Sequence, residues 1–388
     1  MFPRKASGIR LNSMIAAFHR AEAIVDLDRI TANVAHLKEI AGVDLMAVVK
    51  ADAYGHGLLP VARAALKGGA TYLGVALLEE AIALRDAGIS APILAWLVPP
   101  GSDFTTAVDR DIELAAASII ALQEIGAVKS VKRPRVHLEV DTGMTRGGFL
   151  SEWGKLDADH VAKVDIVGIF SHFARADEPG EEQNNRQRQR FTEMVATLES
   201  FGYRNIIRHL SNSAATLKDS QSKFDMVRTG ISIYGLTPDV NTLGSSDSLG
   251  LHAAMTVRAK LHLVKDVPAG SPVGYGATAI TERDTKLGVV AMGYADGIPR
   301  VAQGAGIFFQ GERAPIIGRV SMDQFVVDLG ANSRAISGDW VEIFGDGATG
   351  GYTAEDWGKA SGSINYEIVT RIGPRVPRIY RSGSPTTE

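Results

Sequence analysis

Short apolar runs alternate with helical patterns over most of the first 236 residues, and this alternation limits the possible folds more than any other feature. The runs are Leu45–Lys50, Tyr72–Ala76, Pro92–Leu97, Ile112–Ala116, Val136–Asp141, Ile166–His172, Ile206–Leu210 and Met226–Ile231. They show little polar alternation, as expected of strands covered on both faces. Between them, Leu58–Lys67 and Leu78–Ala87 carry apolar residues at helical spacing and end near Gly68 and Gly88, which serve as predicted C-caps. Asn184–Phe201 reads as a longer amphipathic helix with a charged face. Repeated strand–helix units imply a parallel sheet. Eight of them in roughly 200 residues predict an α/β fold, an N-terminal (β/α)8 TIM-type barrel over residues 28–240. A doubly wound open sheet is the competing topology, but no G-x-G-x-x-G follows the first strand.

After Pro238 the pattern changes. Asn241–Gly250 is rich in Ser, Gly and Asp and reads as a linker. Beyond it come short β-type runs: Thr256–Val264, Lys286–Ala291, Ala314–Ile317, Phe325–Leu329 and Trp340–Phe344. Residues 241–388 are therefore expected to form a mainly β C-terminal domain, with an N-terminal strand at 23–27 as an added member and residues 1–20 as an extension.

Composition excludes several classes of function. There is no cysteine, so disulfides, thiolate metal sites and a cysteine nucleophile are ruled out. A net charge of -3 carries no basic signature for nucleic acid or an anionic membrane. No apolar run approaches a membrane span of about 20 residues. The first residues carry Arg4, Lys5 and Arg10 before an apolar stretch broken by Asn12, Ser13 and His19, a poor signal peptide. The expected location is cytoplasmic.

In a barrel, chemistry belongs at the C-terminal ends of the strands. Lys50 ends the first predicted strand, Arg146 follows the fifth, and His172 closes the sixth. Asn212 and Ser213 follow the seventh, and Arg228, Gly230 and Ile231 lie at the eighth. A lysine closing an apolar strand is partly desolvated, which frees its amine for Schiff-base formation. The plain alternative is a lysine snorkelling out of the strand end. Ser-Asn-Ser-Ala-Ala offers either an ordinary helix N-cap or a phosphate seat. Gly274-Tyr275-Gly276-Ala277-Thr278 and Gly293-Tyr294-Ala295-Asp296-Gly297 place tyrosines between glycines, and taken alone these are turns. Arg319-Val-Ser-Met-Asp-Gln324 is also compatible with simple turn chemistry.

Nine motifs in order carry a resemblance. Ala-Val-Val-Lys50-Ala-Asp-Ala-Tyr-Gly-His-Gly is followed by Asp-Thr-Gly-Met-Thr-Arg146, Ser-His172-Phe-Ala, Asn-Ser-Ala-Ala, Val-Arg228-Thr-Gly-Ile, Gly-Tyr275-Gly-Ala-Thr, Gly-Tyr294-Ala-Asp-Gly, Arg-Val-Ser-Met322-Asp-Gln and Ile-Asn-Tyr366-Glu. From about Ala23 onward the chain resembles the bacterial alanine racemases, enzymes that use pyridoxal 5'-phosphate (PLP). The resemblance implies interconversion of L-alanine and D-alanine through an external aldimine of PLP. It implies that Lys50 carries the cofactor and acts as one base. Tyr275, contributed by the other subunit of a homodimer with shared active sites, is then the second base. Tyr54, Ser213, Gly230, Ile231 and Tyr366 match cofactor-phosphate positions, Asn212 is a further cofactor-binding residue, and His172 lies beside the ring. Arg146 matches the arginine at the phenolic oxygen and near the substrate. Arg228 matches the partner of the pyridine nitrogen, where a donor-only, permanently charged side chain keeps that nitrogen unprotonated. Met322 matches a substrate-carboxylate position and Tyr294 the active-site entrance.

The chain departs from the family pattern at Glu139, where many members have a carbamylated lysine. A direct Glu139–Arg146 pair is expected in its place. The rival readings are a racemase for larger amino acids, a PLP decarboxylase, which would require a catalytic cysteine, and a PLP carrier lacking the β domain. Supply of D-alanine for the cell wall and alanine breakdown both fit the sequence.

Overall fold

A computed structural model describes residues 19–383. The expected N-terminal extension lies outside the described residues except for His19 and Arg20. Strand β1 (Ala21–Asp26) opens the described chain. The next strands are β2 (Asp44–Val48), β3 (Tyr72–Val75), β4 (Ile93–Ala95), β5 (Ile112–Ala116), β6 (Arg135–Glu139), β7 (Asp165–Phe170), β8 (Ile207–His209) and β9 (Met226–Thr229). β2 through β8 run parallel in sequence order, and β9 lies alongside β2 with Ala47 opposite Thr229. At the β8–β9 seam, Asp225 N donates to Arg208 O at 3.1 Å and Arg228 N to Ser211 O at 2.9 Å. The Arg208 guanidinium also grips Asp225 through two bonds of 2.7 and 2.8 Å. The eight strands thus form a nearly closed (β/α)8 barrel.

The apolar runs sit where their composition requires. β3, β4, β5 and β9 are buried at every position, with helices outside and a packed lumen inside. Met46, Tyr72, Leu94, Ala115, Phe170 and Met226 fill much of that lumen. Outside, the helix Leu27–Ala41 starts at Asp26, whose carboxylate accepts from the amides of Asp28 and Arg29. It ends at Gly42 in the left-handed conformation (φ 67°) and buries Ile30, Asn33, Val34, Leu37 and Ala41. The helix Leu58–Lys67 has the expected bounds, and Leu78–Asp86 closes one residue earlier than its spacing predicts. The long helix runs over Glu182–Ser200.

Residues 26–254 form one compact unit. The stretch 241–254, read from sequence as the start of the second domain, therefore packs with the barrel. The cause is Asn33. This fully buried side chain donates to His252 O (2.9 Å) and Ile233 O (3.2 Å) and accepts from His252 N (2.9 Å). His36 Nε2 reaches Leu249 O at 3.0 Å, and Leu251 is buried.

Residues 255–381, with residues 19–25, form the second unit. It comprises β10 (Met255–Val267), the small hairpin of β11 (Pro272–Val273) and β12 (Ala279–Ile280), then β13 (Thr285–Val290), β14 (Gly306–Phe309), β15 (Glu312–Pro315), β16 (Phe325–Asp328), β17 (Trp340–Phe344) and β18 (Arg378–Arg381). β10 is long enough to serve two sets of partners. Its first half pairs with β1 and β17, and beyond an irregularity between Leu261 and Leu263 it pairs with β13, which in turn meets β16. Two helices the β pattern did not predict, Ala354–Ala360 and Asn365–Thr370, complete the unit. The first begins with a capping box between Thr353 and Asp356, a signal that was present in the sequence. It buries Trp357, whose indole N–H donates to Ile343 O at 2.8 Å.

Asn33→Ala orphans a buried amide and two carbonyls at once. We expect a loss of about 3 kcal/mol of unfolding free energy by urea titration. A loss below about 1 kcal/mol would mean that water replaces all three bonds.

Candidate active site at the barrel mouth

β2 stops at Val48, and the chain then makes a turn that sequence reading did not predict. Lys50 begins a helical turn in which Ala51, Asp52, Ala53 and Tyr54 all have φ between 51 and 54°. Left-handed helical backbone costs roughly 1–2 kcal/mol per L-residue, so the turn must be held by its surroundings. Asp52 Oδ1 accepts from Leu58 N at 2.8 Å, and Glu80 Oε1 accepts from Ala51 N at 2.6 Å. The Tyr54 ring packs on Tyr234 with centroids 4.9 Å apart, and the Tyr234 hydroxyl donates to Val48 O at 2.9 Å. The turn carries Lys50 over the Trp96 ring, with its nitrogen 5.8 Å from the centroid. Burial lowers the lysine pKa, the Arg146 charge lowers it further, and Glu80 opposes both. The result is a half-buried amine biased toward its neutral, nucleophilic form.

The ends of β8 and β9 meet this turn. Gly230 N donates to Ser213 Oγ at 2.9 Å. A Cβ on Gly230 would lie 2.6 Å from the Tyr54 hydroxyl, so only glycine leaves that oxygen its place. Ile231 is buried and opens the 3₁₀ turn Ile231–Tyr234. Tyr54, Ser213, Gly230 and Ile231 are thus brought together from three separate stretches of chain. Asn212 stands next to them, but its side chain caps the helix Ser213–Lys218 through Ala215 N (3.1 Å), the plainer of the two roles open to it.

Arg228 is buried and points into the lumen. Nη1 donates to His209 O (2.6 Å) and reaches His209 Nδ1 (3.3 Å). Nη2 donates to Ser171 O (2.7 Å) and Leu210 O (3.3 Å) and reaches His172 Nδ1 (3.2 Å). All five contacts use Nη1 and Nη2, which leaves the Nε–H for another acceptor. Burial brings the guanidinium pKa down to about 10, and Glu139 opposes that shift.

Behind Arg228 lies a relay that sequence reading missed. His209 Nε2 and His137 Nδ1 are 2.8 Å apart, His137 Nε2 is 2.8 Å from Glu113 Oε2, and Glu113 pairs with Arg135 at 2.7 Å. Arginine only donates, so His209 Nδ1 must accept. His209 Nε2–H then donates to His137, and His137 Nε2–H donates to the carboxylate. Both imidazoles are neutral, each in one tautomer. Gly168 makes room, because a Cβ there would lie 2.1 Å from His137 Nδ1. The sequence does contain a signal: Glu113 and His137 each stand between apolar neighbours inside an apolar run, and His209 follows Arg208 in another. Burial, then His137 and Arg228, hold the His209 pKa well below the ordinary histidine value. His172 is brought to about 3 by burial and by Arg228, Arg146 and Lys50.

Arg146 corrects one expectation. It is exposed and makes no ion pair with Glu139. The local backbone explains why. Asp141 Oδ1 gathers the amides of Gly143, Met144 and Thr145 (2.8 to 3.1 Å), and Thr145 takes φ 58°, which carries Arg146 outward. The Glu139 carboxylate instead faces the backbone of Gly147. Burial raises its pKa, while Arg228 and Arg146 pull it down.

The remaining predicted residues lie in the second unit. Tyr275 is 72% exposed on the turn Tyr275–Ala277, between Gly274 (φ 70°) and Gly276 (φ 74°), with the Arg319 guanidinium beside that turn. Tyr294 N donates to Ser321 O (3.1 Å) and Ala295 N to Met322 O (2.9 Å), so the Tyr294 and Met322 loops are joined. Asp296, fully buried below them, pairs with Arg20 at 2.6 Å and Arg375 at 3.2 Å. Tyr366 lies half-buried on the helix Asn365–Thr370. Among the described residues, no acidic or histidine cluster suits a metal ion, and no helix is long and apolar enough to cross a membrane.

A neutral buried histidine that protonates on unfolding stabilises the native state fully above its unfolded pKa near 6.5, and loses that contribution as pH falls below it. We expect the urea midpoint to drop between pH 7 and 5, by up to about 1.4 kcal/mol per pH unit for His209. A midpoint flat across that range would show His209 already charged in the native state.

Residues 25–238 match the family described as "Alanine racemase, N-terminal domain", and residues 254–380 match "Alanine racemase, C-terminal domain". The alanine racemase of Beutenbergia cavernae is 49% identical over 373 residues, covering 94% of this chain and 98% of that one. The solved alanine racemase of D-cycloserine-producing Streptomyces lavendulae superposes with a TM-score of 0.91 at 46% identity, covering 94% and 97% of the two chains. The Bacillus anthracis alanine racemase with bound L-Ala-P gives 0.88 at 36% identity, covering 96% and 97%. These matches span nearly the whole chain, and the barrel with its following β unit is the shared architecture: the chain belongs to the alanine racemase family and is a racemase.

Proposed function

We propose that this racemase interconverts L-alanine and D-alanine with PLP held on Lys50, and that it works as a cytoplasmic homodimer in which each active site takes Tyr275 from the partner chain. The observation that carries the reading is the desolvated Lys50 amine on a held left-handed turn, beside Tyr54, Ser213 and Gly230. The residues fit the cofactor. Gly230 offers a close-approach cradle that a Cβ would close, Arg228 keeps an Nε–H for a ring nitrogen, and Arg146 and Arg228 supply positive charge for a phosphate and a carboxylate. PLP, when bound, supplies the electron sink that acidifies the substrate Cα–H.

The protein's own part is to hold groups and move protons. Tyr54, Ser213, Gly230, Ile231 and Tyr366 hold the phosphate, with Asn212 fixing the helix that presents Ser213. His172 lies beside the ring. Arg146 bonds the phenolic oxygen and stands by the substrate, the Met322 backbone receives the substrate carboxylate, and Tyr294 narrows the entrance. The Lys50 amine takes or returns the Cα proton on one face, and the Tyr275 hydroxyl does so on the other. Two bases on opposite faces invert the centre without turning the substrate. Arg228 would hold the pyridine nitrogen through its Nε–H and, as a fixed cation, would disfavour a proton there.

The test is chiral separation of alanine after incubating L-alanine with the protein and PLP. We expect D-alanine from the wild type, and kcat reduced about 10²–10⁴-fold in both Lys50→Ala and Tyr275→Phe. D-alanine formation that survived in Lys50→Ala would remove the lysine from the mechanism. Absence of D-alanine from the wild type, with a Schiff-base absorbance present, would move the substrate to a larger amino acid.

A second test addresses Arg228. Arg228→Gln retains an amide donor for the neighbouring carbonyls but removes the charge. Pyruvate released per D-alanine formed is expected to rise about tenfold or more, equivalent to about 1.4 kcal/mol of lost discrimination. An unchanged ratio would show that the charge does not suppress transamination.

A further inference from the structure

Glu80 makes contacts that its place in the chain does not require. As the third residue of the helix Leu78–Asp86, it completes an ordinary capping box: Oε2 accepts from Leu77 N at 3.0 Å and from Ala76 N at 3.1 Å. Such a cap needs only one carboxylate oxygen. The other, Oε1, leaves the helix and accepts from Ala51 N at 2.6 Å, across 29 positions of sequence. Ala51 follows the lysine and is the first left-handed residue of the turn. Glu79, its neighbour, is exposed and makes no comparable bond.

We infer that Glu80 is the positioning residue of Lys50: one carboxylate ties the first amide of the left-handed turn to the end of β3 and sets a negative charge against the lysine amine. The inference rests on the reading of Lys50 as the cofactor-bearing base. Three backbone N–H groups converge on one carboxylate, and charge-assisted bonds of this kind are short and directional. They join the C-terminal ends of neighbouring strands β2 and β3, so the lysine is fixed relative to the barrel wall. Its charge environment can be enumerated. Arg146 and Glu80 act on the amine with opposite sign, the His172 imidazole faces it, and the Trp96 ring lies under it. Glu80 is the carboxylate that offsets Arg146 there. Without it the lysine would lose its proton more readily, yet sit in a turn with nothing holding its first amide.

The experiment uses the full chain with Glu80→Gln and Glu80→Ala. Lys50 is titrated by competitive acetylation after the cofactor is removed with hydroxylamine, with the Lys50 peptide read by mass spectrometry. The labelling midpoint is expected to move to lower pH in both variants, and in the reloaded enzymes kcat is expected to fall about tenfold with KM within twofold. Glutamine keeps one acceptor for Ala51, so its kcat loss should be the smaller. A midpoint that stays put in both variants, with only thermal stability reduced, would reduce Glu80 to a helix cap and overturn the inference. If neither variant folds, amide exchange in the wild type decides. The Ala51 N–H should exchange as slowly as the amides of β2, and exchange at loop rates would overturn the clamp. The labelling arm needs no cofactor, so it reports on Glu80 even if Lys50 were not the cofactor lysine.

Discussion

A guanidinium with its polar partners inside a parallel barrel organises the rest of this unit. Arg228 cannot lose its charge at any ordinary pH, and the lumen around it is otherwise lined by Met46, Leu94, Phe170 and Met226. A buried cation of this kind is tolerated only when hydrogen-bonded. The barrel meets that need with three strand-end carbonyls and with His209, which must then be neutral and of fixed tautomer and which passes its other N–H to His137. Those imidazoles need an acceptor at their far end, which is Glu113, and space at their flank, which Gly168 leaves. One buried charge therefore dictates residue types on β5, β6, β7 and β8. The strands supply the chemistry at their ends because their interior is committed to holding Arg228 still.

The same reasoning explains what was legible in the sequence. Strands buried on both faces show as unbroken apolar runs, and all eight were found, most within two residues of their observed bounds. Helices closed by ordinary caps were legible for the same reason: a cap is a local interaction. What escaped depends on partners distant in sequence. The left-handed turn after Lys50 has no composition of its own, since Ala-Asp-Ala-Tyr is compatible with an ordinary helix. It exists because Glu80, Tyr234 and Leu58 hold it. Residues 241–254 read as a linker because Ser, Gly and Asp are common in linkers, whereas a single buried asparagine 219 positions earlier assigns His252 to the barrel. The Glu139–Arg146 pair was a sound charge argument that failed on backbone geometry, because Asp141 directs the loop elsewhere.

The second unit shows the converse. Its tyrosines were legible only as motifs, since a tyrosine between glycines is also an ordinary turn. The structure supplies a reason for each arrangement. Positive φ at Gly274 and Gly276 lifts Tyr275 clear of its own sheet. Asp296, buried between two arginines, anchors the Tyr294 loop from below and receives Gly293 N, while that loop bonds to the backbone at Ser321 and Met322. The Tyr275 ring is left largely exposed on its turn, where its hydroxyl is open to solvent or to a ligand.

The electrostatics of the barrel mouth favour one type of ligand. Lys50, Arg146 and Arg228 act on the same small region, and the carboxylates that answer them are Glu80 and Glu139. Glu139 is biased by burial toward its neutral form, so it answers the arginines only in part. His172, pressed by burial and by the two arginines, stays uncharged. A site with more fixed cations than anions, and with its histidines held neutral, is incomplete until it receives negative charge. A phosphate ester and a carboxylate supply that charge, and each relieves a repulsion already present in the protein. The demand of the mouth for an anionic ligand thus follows from the arrangement that keeps Arg228 buried and lowers the pKa of the Lys50 amine.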